Sequence, residues 1–83
     1  MTMYFCIDMA ATGANIRRLR QEHGLSVRDI QEAMGFEDGS SVYKWERGRS
    51  LPSVEHLLAL GKLFDMRMED ILIWNRPPPS GGD

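Results

Sequence analysis

The sequence is poor in residues that would indicate a metal site, a disulfide framework or a membrane anchor. It has one cysteine, Cys6, which excludes an internal disulfide, and two widely separated histidines, His23 and His56, which give no zinc-ligand spacing. Its N-terminal apolar run is short, contains Asp8 and follows no basic residue, so we expect neither a signal peptide nor a membrane anchor. We predict a cytoplasmic protein without a metal ion or other cofactor.

Size and charge place further limits on function. The chain has 83 residues, which predicts one domain that buries roughly 60% of its unfolded surface. The net charge is −2, yet residues 17–49 carry seven basic and six acidic side chains, while residues 50–83 carry three and five. This asymmetry is too weak to decide for or against a nucleic-acid partner. No Ser/His/Asp order, carboxylate pair or glycine-rich phosphate loop stands out, so we predict a protein that is not an enzyme.

Capping signals and apolar periodicity predict an all-α protein of five short helices. Thr12, Ser26 and Ser53 stand where N-caps are needed, and Gly24 and Gly35 stand where a helix ends. The predicted helices span about residues 13–23, 27–34, 40–47, 53–64 and 68–73. The second and third are separated by the short turn "FEDG", a spacing typical of a helix-turn-helix.

Two segments flank the predicted helical domain, which spans residues 13–74. Residues 1–12 form an apolar, strand-like arm that either packs on its own domain or joins a second copy, and Trp74 is either a lid on the core or a dimer contact. Within the arm we interpret Cys6 as a small packing residue rather than a redox site. Residues 75–83 are rich in proline and glycine, which predicts a disordered tail.

The third predicted helix has two different faces. At about 100° per residue, its polar side chains fall on one side. These residues are Ser40, Tyr43, Lys44 and Arg47. Ser41, Val42 and Trp45 fall on the other side and would face the core, with Val42 and Trp45 as anchors. Hydroxyl, phenol, ammonium and guanidinium groups suit a DNA major groove, although any surface helix also has a solvated polar face.

The order of several short strings resembles the Cro/repressor-type (Xre-like) helix-turn-helix family. They are "LR" in the first helix, "GLS" opening the second, "YKWERG" closing the third and "LP" before the fourth. The resemblance runs from about Ile16 to Leu72, most of the chain. It implies a compact, lambda-repressor-like DNA-binding domain that acts as a homodimer on double-stranded DNA, with the third helix as the recognition helix.

The resemblance also implies roles for individual residues. Those that match DNA-contacting positions of the third helix and of the loop after it are Ser40, Ser41, Tyr43, Lys44, Arg47 and Arg49. Arg20 and Glu46 match a pair that often joins the first and third helices inside such domains, so we interpret them as structural. Arg28, near the start of the second helix, either contacts a DNA phosphate or is a solvent-exposed arginine.

The chain departs from the family pattern in the second helix and the turn. Val27 stands where the family has a glutamine that contacts DNA, and Ser40 stands where a glutamine often begins the recognition helix. Gln31 replaces a small alanine, and the turn "FEDG" is about one residue longer than usual. We predict that the bulkier side chain and the longer turn reposition the third helix together.

These patterns predict a sequence-specific DNA-binding transcriptional regulator. Such a protein would bind an operator as a dimer and insert its third helix into the major groove. The alternative is a protein-interaction module on the same frame, such as an antitoxin-like partner, which the acidic total charge and the apolar arm favour. A domain that senses a small molecule is a further alternative, but 83 residues leave little room for a separate pocket.

Overall fold

Five helices follow one another in the predicted order, and a pair of very short strands joins the two ends of the domain. The computed structural model describes residues 6–75. Its elements are β1 (Cys6–Ile7), α1 (Met9–Glu22), α2 (Val27–Met34), α3 (Ser40–Glu46), α4 (Val54–Phe64), α5 (Met68–Ile71) and β2 (Trp74–Asn75). The all-α, five-helix architecture expected from the sequence is confirmed.

Helix α1 begins at Met9 rather than at residue 13, because its N-cap is Asp8 and not Thr12. The Asp8 carboxylate accepts a hydrogen bond from the Ala11 backbone N–H at 2.9 Å, and aspartate caps a helix at least as well as threonine. Thr12 lies inside the helix, fully buried. Its hydroxyl accepts from the Ile73 N–H at 2.9 Å and donates to the Ile73 carbonyl at 3.2 Å. Residues 9–12 of the predicted arm are therefore part of α1.

Helices α2 and α4 begin after the predicted N-caps. The Ser26 hydroxyl accepts from the Asp29 N–H at 3.0 Å, and the Asp29 carboxylate accepts from the Ser26 N–H at 2.7 Å, which completes a capping box. The bonds from the Ser26 backbone and hydroxyl lower the pKa of the Asp29 carboxyl. Ser53 caps α4 by accepting from the His56 N–H at 3.3 Å. Local sequence thus fixes where both helices start.

All five helices contribute to one apolar core. Its buried members are Ile16, Leu19, Ile30, Val42, Trp45, Leu57, Leu60, Phe64 and Ile71. Val42 and Trp45 are the two residues of α3 that were predicted to anchor it in the core. Burial of side chains of this size stabilises the fold by about 1.5–3 kcal/mol each, which is enough to hold so short a helix in place.

Helices α1 and α3 cross closely at Gly13. A Cβ atom there would lie 2.8 Å from the Glu46 carbonyl oxygen, which is closer than real Cβ atoms approach. Gly48, two residues after α3, has a φ of +73°, and a Cβ on it would lie 2.8 Å from the Ala10 Cα. Glycine is needed at both positions. The first helix therefore determines where the C-terminal end of α3 lies.

The two short strands pair in antiparallel fashion within the same chain. Cys6 lies opposite Asn75, and Ile7 lies opposite Trp74. Trp74 is thus part of a strand, and the fifth helix is shorter than the predicted 68–73, because α5 stops when Leu72 takes up an extended backbone with ψ of 132°. The described part of the arm packs on its own domain.

Three further expectations concern the ends of the chain. Cys6 is exposed, so its interpretation as a packing residue is wrong. Tyr4 and Phe5 of the arm, and residues 76–83 of the predicted tail, lie outside the described residues. Within residues 6–75, no helix combines the length and the apolar character that crossing a membrane requires.

Candidate nucleic-acid interface

The turn between α2 and α3 is held by the side chain of Gln31. Its amide nitrogen donates to the Glu37 carbonyl at 3.1 Å and lies 3.5 Å from the Phe36 carbonyl. These two carbonyls belong to the first half of the long turn. The side chain of Gln31 therefore links α2 to the turn by hydrogen bonding.

The start of α3 is fixed by the residues that precede it. The Asp38 carboxylate accepts from the Ser40 backbone N–H at 2.9 Å. Hydrogen bonds from the Ser40 hydroxyl and backbone lower the pKa of the Asp38 carboxyl, so this group stays charged beside the helix N-terminus. Val27 packs here as well, since a Cβ on Gly39 would meet the Val27 Cγ1 at 3.1 Å. In place of a polar side chain, position 27 thus gives α2 an apolar contact with the turn.

Aromatic rings support the inner face of α3. The Phe36 and Trp45 rings meet edge to face with centroids 5.6 Å apart. His56 of α4 completes the cluster, with its ring 4.7 Å from Phe36 and 5.9 Å from Trp45. Such contacts stabilise a structure by about 0.5–1.5 kcal/mol each beyond simple burial. The inner side of α3 is therefore held by both the turn that precedes it and α4.

An ion pair between α1 and α3 fixes the rotation of the helix. The Arg20 Nε and Nη2 atoms donate to the two Glu46 carboxylate oxygens at 2.7 and 3.1 Å, and Nη1 donates to the Leu25 carbonyl at 3.0 Å. The two side chains are only 13% and 7% exposed. The hydrogen bond to Glu46 raises the pKa of the Arg20 guanidinium above its ordinary value. All three elements that meet here, α1, α3 and the loop before α2, are thereby locked together.

The outer face of α3 carries exposed polar side chains that line a hollow of about 350 Å³. The lining residues are Ser40, Tyr43, Lys44, Arg47 and Arg49. The hollow contains three cations and no carboxylate. None of these cations forms an ion pair with another residue between positions 6 and 75, so the lining of the hollow is basic in a protein of net charge −2.

Arg47 and Tyr43 form a ridge along one side of this hollow. The Arg47 guanidinium carbon lies 5.7 Å from the centroid of the Tyr43 ring, within range of a cation–π contact. Tyr43 itself is 49% exposed. The contact restricts the arginine without neutralising its charge, so the guanidinium remains available to an anionic partner.

Two of the predicted interface residues lie elsewhere. Ser41 is half-buried and does not line the hollow. Arg28 lies on α2, and its Nε is 3.4 Å from the Glu32 carboxylate in a pair whose side chains are 82% and 63% exposed. Salt readily screens a pair as exposed as this one. Five of the seven predicted residues are therefore brought together, while Ser41 and Arg28 are separate from them.

One residue that lines this surface, Arg17, was not predicted from the sequence to contribute to it. Arg17 of α1 lines a second, smaller hollow together with the ridge formed by Tyr43 and Arg47. Its spacing of three residues from Arg20 places both arginines on the same side of α1. The spacing alone could therefore have predicted that Arg17 lies on the same side of α1 as Arg20.

Among the described residues, no group of three potential metal-binding side chains is close enough to hold an ion.

Comparisons with known proteins agree with the helix-turn-helix fold. The model of the helix-turn-helix family matches residues 16–71. The restriction-modification controller protein C.AhdI from Aeromonas hydrophila is 30% identical, with a TM-score of 0.68 over 77% of this chain and 96% of that one. The clp gene regulator ClgR from C. glutamicum is 27% identical, with a TM-score of 0.66 over 76% of this chain and 80% of that one.

A longer relative is also similar in sequence. A candidate HTH-type transcriptional regulatory protein of Pyrococcus horikoshii is 28% identical over 76 residues, which are 78% of this chain. The match covers 24% of that protein, so the chain spans about a quarter of the length of this relative.

Proposed function

The chain belongs to the Cro/repressor-type helix-turn-helix family of DNA-binding transcriptional regulators, and from this premise we propose that it is a cytoplasmic regulator that binds a specific operator. In the proposed complex α3 enters the major groove. The observation that carries the proposal is the hollow on the outer face of α3, where three cations without ion pairs stand beside a phenol and a hydroxyl.

These groups can make two kinds of contact with DNA, to the bases and to the phosphates. Lys44 lies in the last turn of α3, and Arg47 follows directly after the helix, so both are placed to reach guanine acceptors or nearby phosphates. Arg49 lies in the loop beyond α3, and we expect it to contact the DNA backbone rather than a base. Ser40 and Tyr43 can donate to or accept from a base or a phosphate. In this proposal the phosphate contacts fix the register, and the contacts from α3 select the sequence.

We further propose that the protein binds as a homodimer with two half-sites about 34 Å apart. Support comes from the exposed side of α4, where Val54 and Leu58 are one turn apart and 75% and 50% exposed. Two apolar residues this exposed on one helix suit a contact with a second copy. Sedimentation of the free protein and of the DNA complex measures the stoichiometry.

A gel-shift titration against genomic fragments at several salt concentrations tests DNA binding. We expect a preferred fragment at low ionic strength and a large loss of binding in the double variant Lys44→Ala, Arg47→Ala. Lys62→Ala is the matched control, because Lys62 is exposed on α4 outside both hollows. The proposal fails if wild-type protein prefers no fragment and the double variant binds as the control does.

A second candidate function is that of a protein-interaction module, such as an antitoxin-like partner. The observation in its favour is an apolar hollow of about 370 Å³ beside the paired strands. It is lined by Cys6, Ile7, Glu69, Leu72 and Trp74. Copurification of one defined partner in a fixed ratio, lost in Leu72→Asp but retained in Lys44→Ala, would favour this function over DNA binding.

A further inference from the structure

A second hollow, of about 240 Å³, lies between α1 and α3 on the far side of the Tyr43–Arg47 ridge. Its lining adds Arg17, Arg20 and Glu46 to the two residues of the ridge. Because Tyr43 and Arg47 line both hollows, the second is a direct neighbour of the proposed groove-binding surface. Three arginines and one glutamate surround it.

The charges in this hollow do not cancel. Both oxygens of Glu46 accept from Arg20, at 2.7 and 3.1 Å, so this carboxylate is already occupied. The Arg20 Nη1 donates to the Leu25 carbonyl at 3.0 Å, so each guanidinium nitrogen of Arg20 already forms one hydrogen bond within the protein. Arg17 and Arg47 form no ion pair with any other residue in the described part of the chain. Two guanidinium groups and a phenol hydroxyl therefore remain available to one ligand.

The ligand that this arrangement fits is a small tetrahedral anion. Guanidinium groups match the geometry of phosphate oxygens, and two of them on one hollow favour a phosphate over a neutral group. When a duplex presents its major groove to one surface, the strands that border the groove run alongside that surface. A hollow next to the groove-binding surface is therefore where a backbone phosphate would lie.

We propose that the second hollow binds one backbone phosphate of the DNA, held by Arg17, Arg47 and the Tyr43 hydroxyl. The inference rests on the proposed function and adds α1 to the interface. In the proposed complex the ridge of Tyr43 and Arg47 separates the two hollows, with the bases on one side of it and the phosphate on the other. Arg20 and Glu46 are positioning residues in this arrangement, because they hold the wall in place and do not touch the ligand.

The neighbouring arginine offers a matched control. Arg18 is one residue further along α1, but its Nη1 lies 2.8 Å from the Glu22 carboxylate and its Nη2 donates to the Asn15 side chain at 2.6 Å. It does not line the hollow. Arg17→Ala and Arg18→Ala remove the same charge from adjacent exposed positions on one helix, and Arg18→Ala also removes an exposed ion pair that salt readily screens.

The test measures the dissociation constant on the preferred fragment and on random-sequence DNA, over a series of salt concentrations. For Arg17→Ala we expect about a tenfold weaker affinity on both DNAs, since one charge-assisted contact is lost, and a salt slope smaller by about 0.9. Arg18→Ala should leave the affinity and the slope at the wild-type values. Arg17→Lys, which keeps the charge, should recover most of the slope.

Neutral methylphosphonate links, placed one at a time in the preferred fragment, locate the contact. At one link the wild-type protein should lose clearly more affinity than Arg17→Ala does, because the variant keeps only the contacts from Arg47 and Tyr43 to that phosphate. The inference is overturned if wild-type protein prefers a fragment but Arg17→Ala and Arg18→Ala have equal slopes. A loss confined to the preferred fragment would also overturn it, because that result indicates a base contact. If wild-type protein binds no DNA, the proposed function fails and the inference fails with it.

Discussion

Breaking the ion pair between Arg20 and Glu46 should destabilise the domain far more than breaking an exposed pair. In Glu46→Ala, the Arg20 guanidinium keeps only its bond to the Leu25 carbonyl, and its side chain is only 13% exposed in the wild-type protein. Removing one partner of a buried pair costs about 3–5 kcal/mol. The residual access to water and the remaining carbonyl bond place this case near the lower end, at about 3 kcal/mol.

Urea unfolding followed by far-ultraviolet circular dichroism measures this loss. A domain of this size has about 4–12 kcal/mol of total stability, so the variant should still fold and show a lower midpoint. The control is Glu22→Ala, whose partner Arg18 is 57% exposed and whose pair is expected to contribute at most about 1 kcal/mol.

A double variant separates the cost of an unpaired charge from the value of the pair itself. Arg20→Met with Glu46→Leu leaves no buried charge, and we expect its free energy of unfolding to lie within about 1 kcal/mol of wild type. The reasoning is refuted if Glu46→Ala is no less stable than Glu22→Ala. It is also refuted if the double variant loses as much stability as the single variants Arg20→Met and Glu46→Leu combined.

Two further substitutions test how α3 is held. In a solvent-exposed helix, Gly13→Ala would stabilise the protein by about 1 kcal/mol. Here the new Cβ meets the Glu46 carbonyl at 2.8 Å, so thermal unfolding should show about 1–3 kcal/mol less stability. An increase in stability would contradict the close crossing of α1 and α3. Gln31→Ala removes the hydrogen bonds to the turn and should cost about 1 kcal/mol of stability and weaken binding to the preferred DNA. The exposed control Gln21→Ala should change neither, and equal behaviour of the two glutamine variants would refute the role of Gln31.

Local signals in the sequence were sufficient for most of the fold. Ser26 and Ser53 cap their helices through bonds that span three residues, so the relevant partners are adjacent in sequence. The start of the first helix was harder to predict, because Asp8 and Thr12 are both good N-cap residues. The choice between them depends on the bonds from Thr12 to Ile73, which is 61 residues away. No local pattern contains that contact.

In the candidate site too, some features follow from local sequence and others depend on contacts between distant residues. The polar face of α3 follows from helical geometry, and its residues do line one hollow. Which arginines keep a free charge depends on their neighbours. Arg18 has Glu22 one turn later, whereas Arg17 has Gln21 at that spacing, so part of this difference was readable from sequence. That Arg17 shares a hollow with α3 follows only from the crossing of α1 and α3.

Selection of bound DNA from a random library tests the central claim most directly. We predict enrichment of one consensus composed of two inverted halves, with centres about 10 base pairs apart, as expected for a dimer that places one α3 in each half-site. The same selection with the double variant Lys44→Ala, Arg47→Ala should enrich no consensus. Failure of the wild-type protein to enrich any sequence would contradict the claim that the outer face of α3 reads DNA.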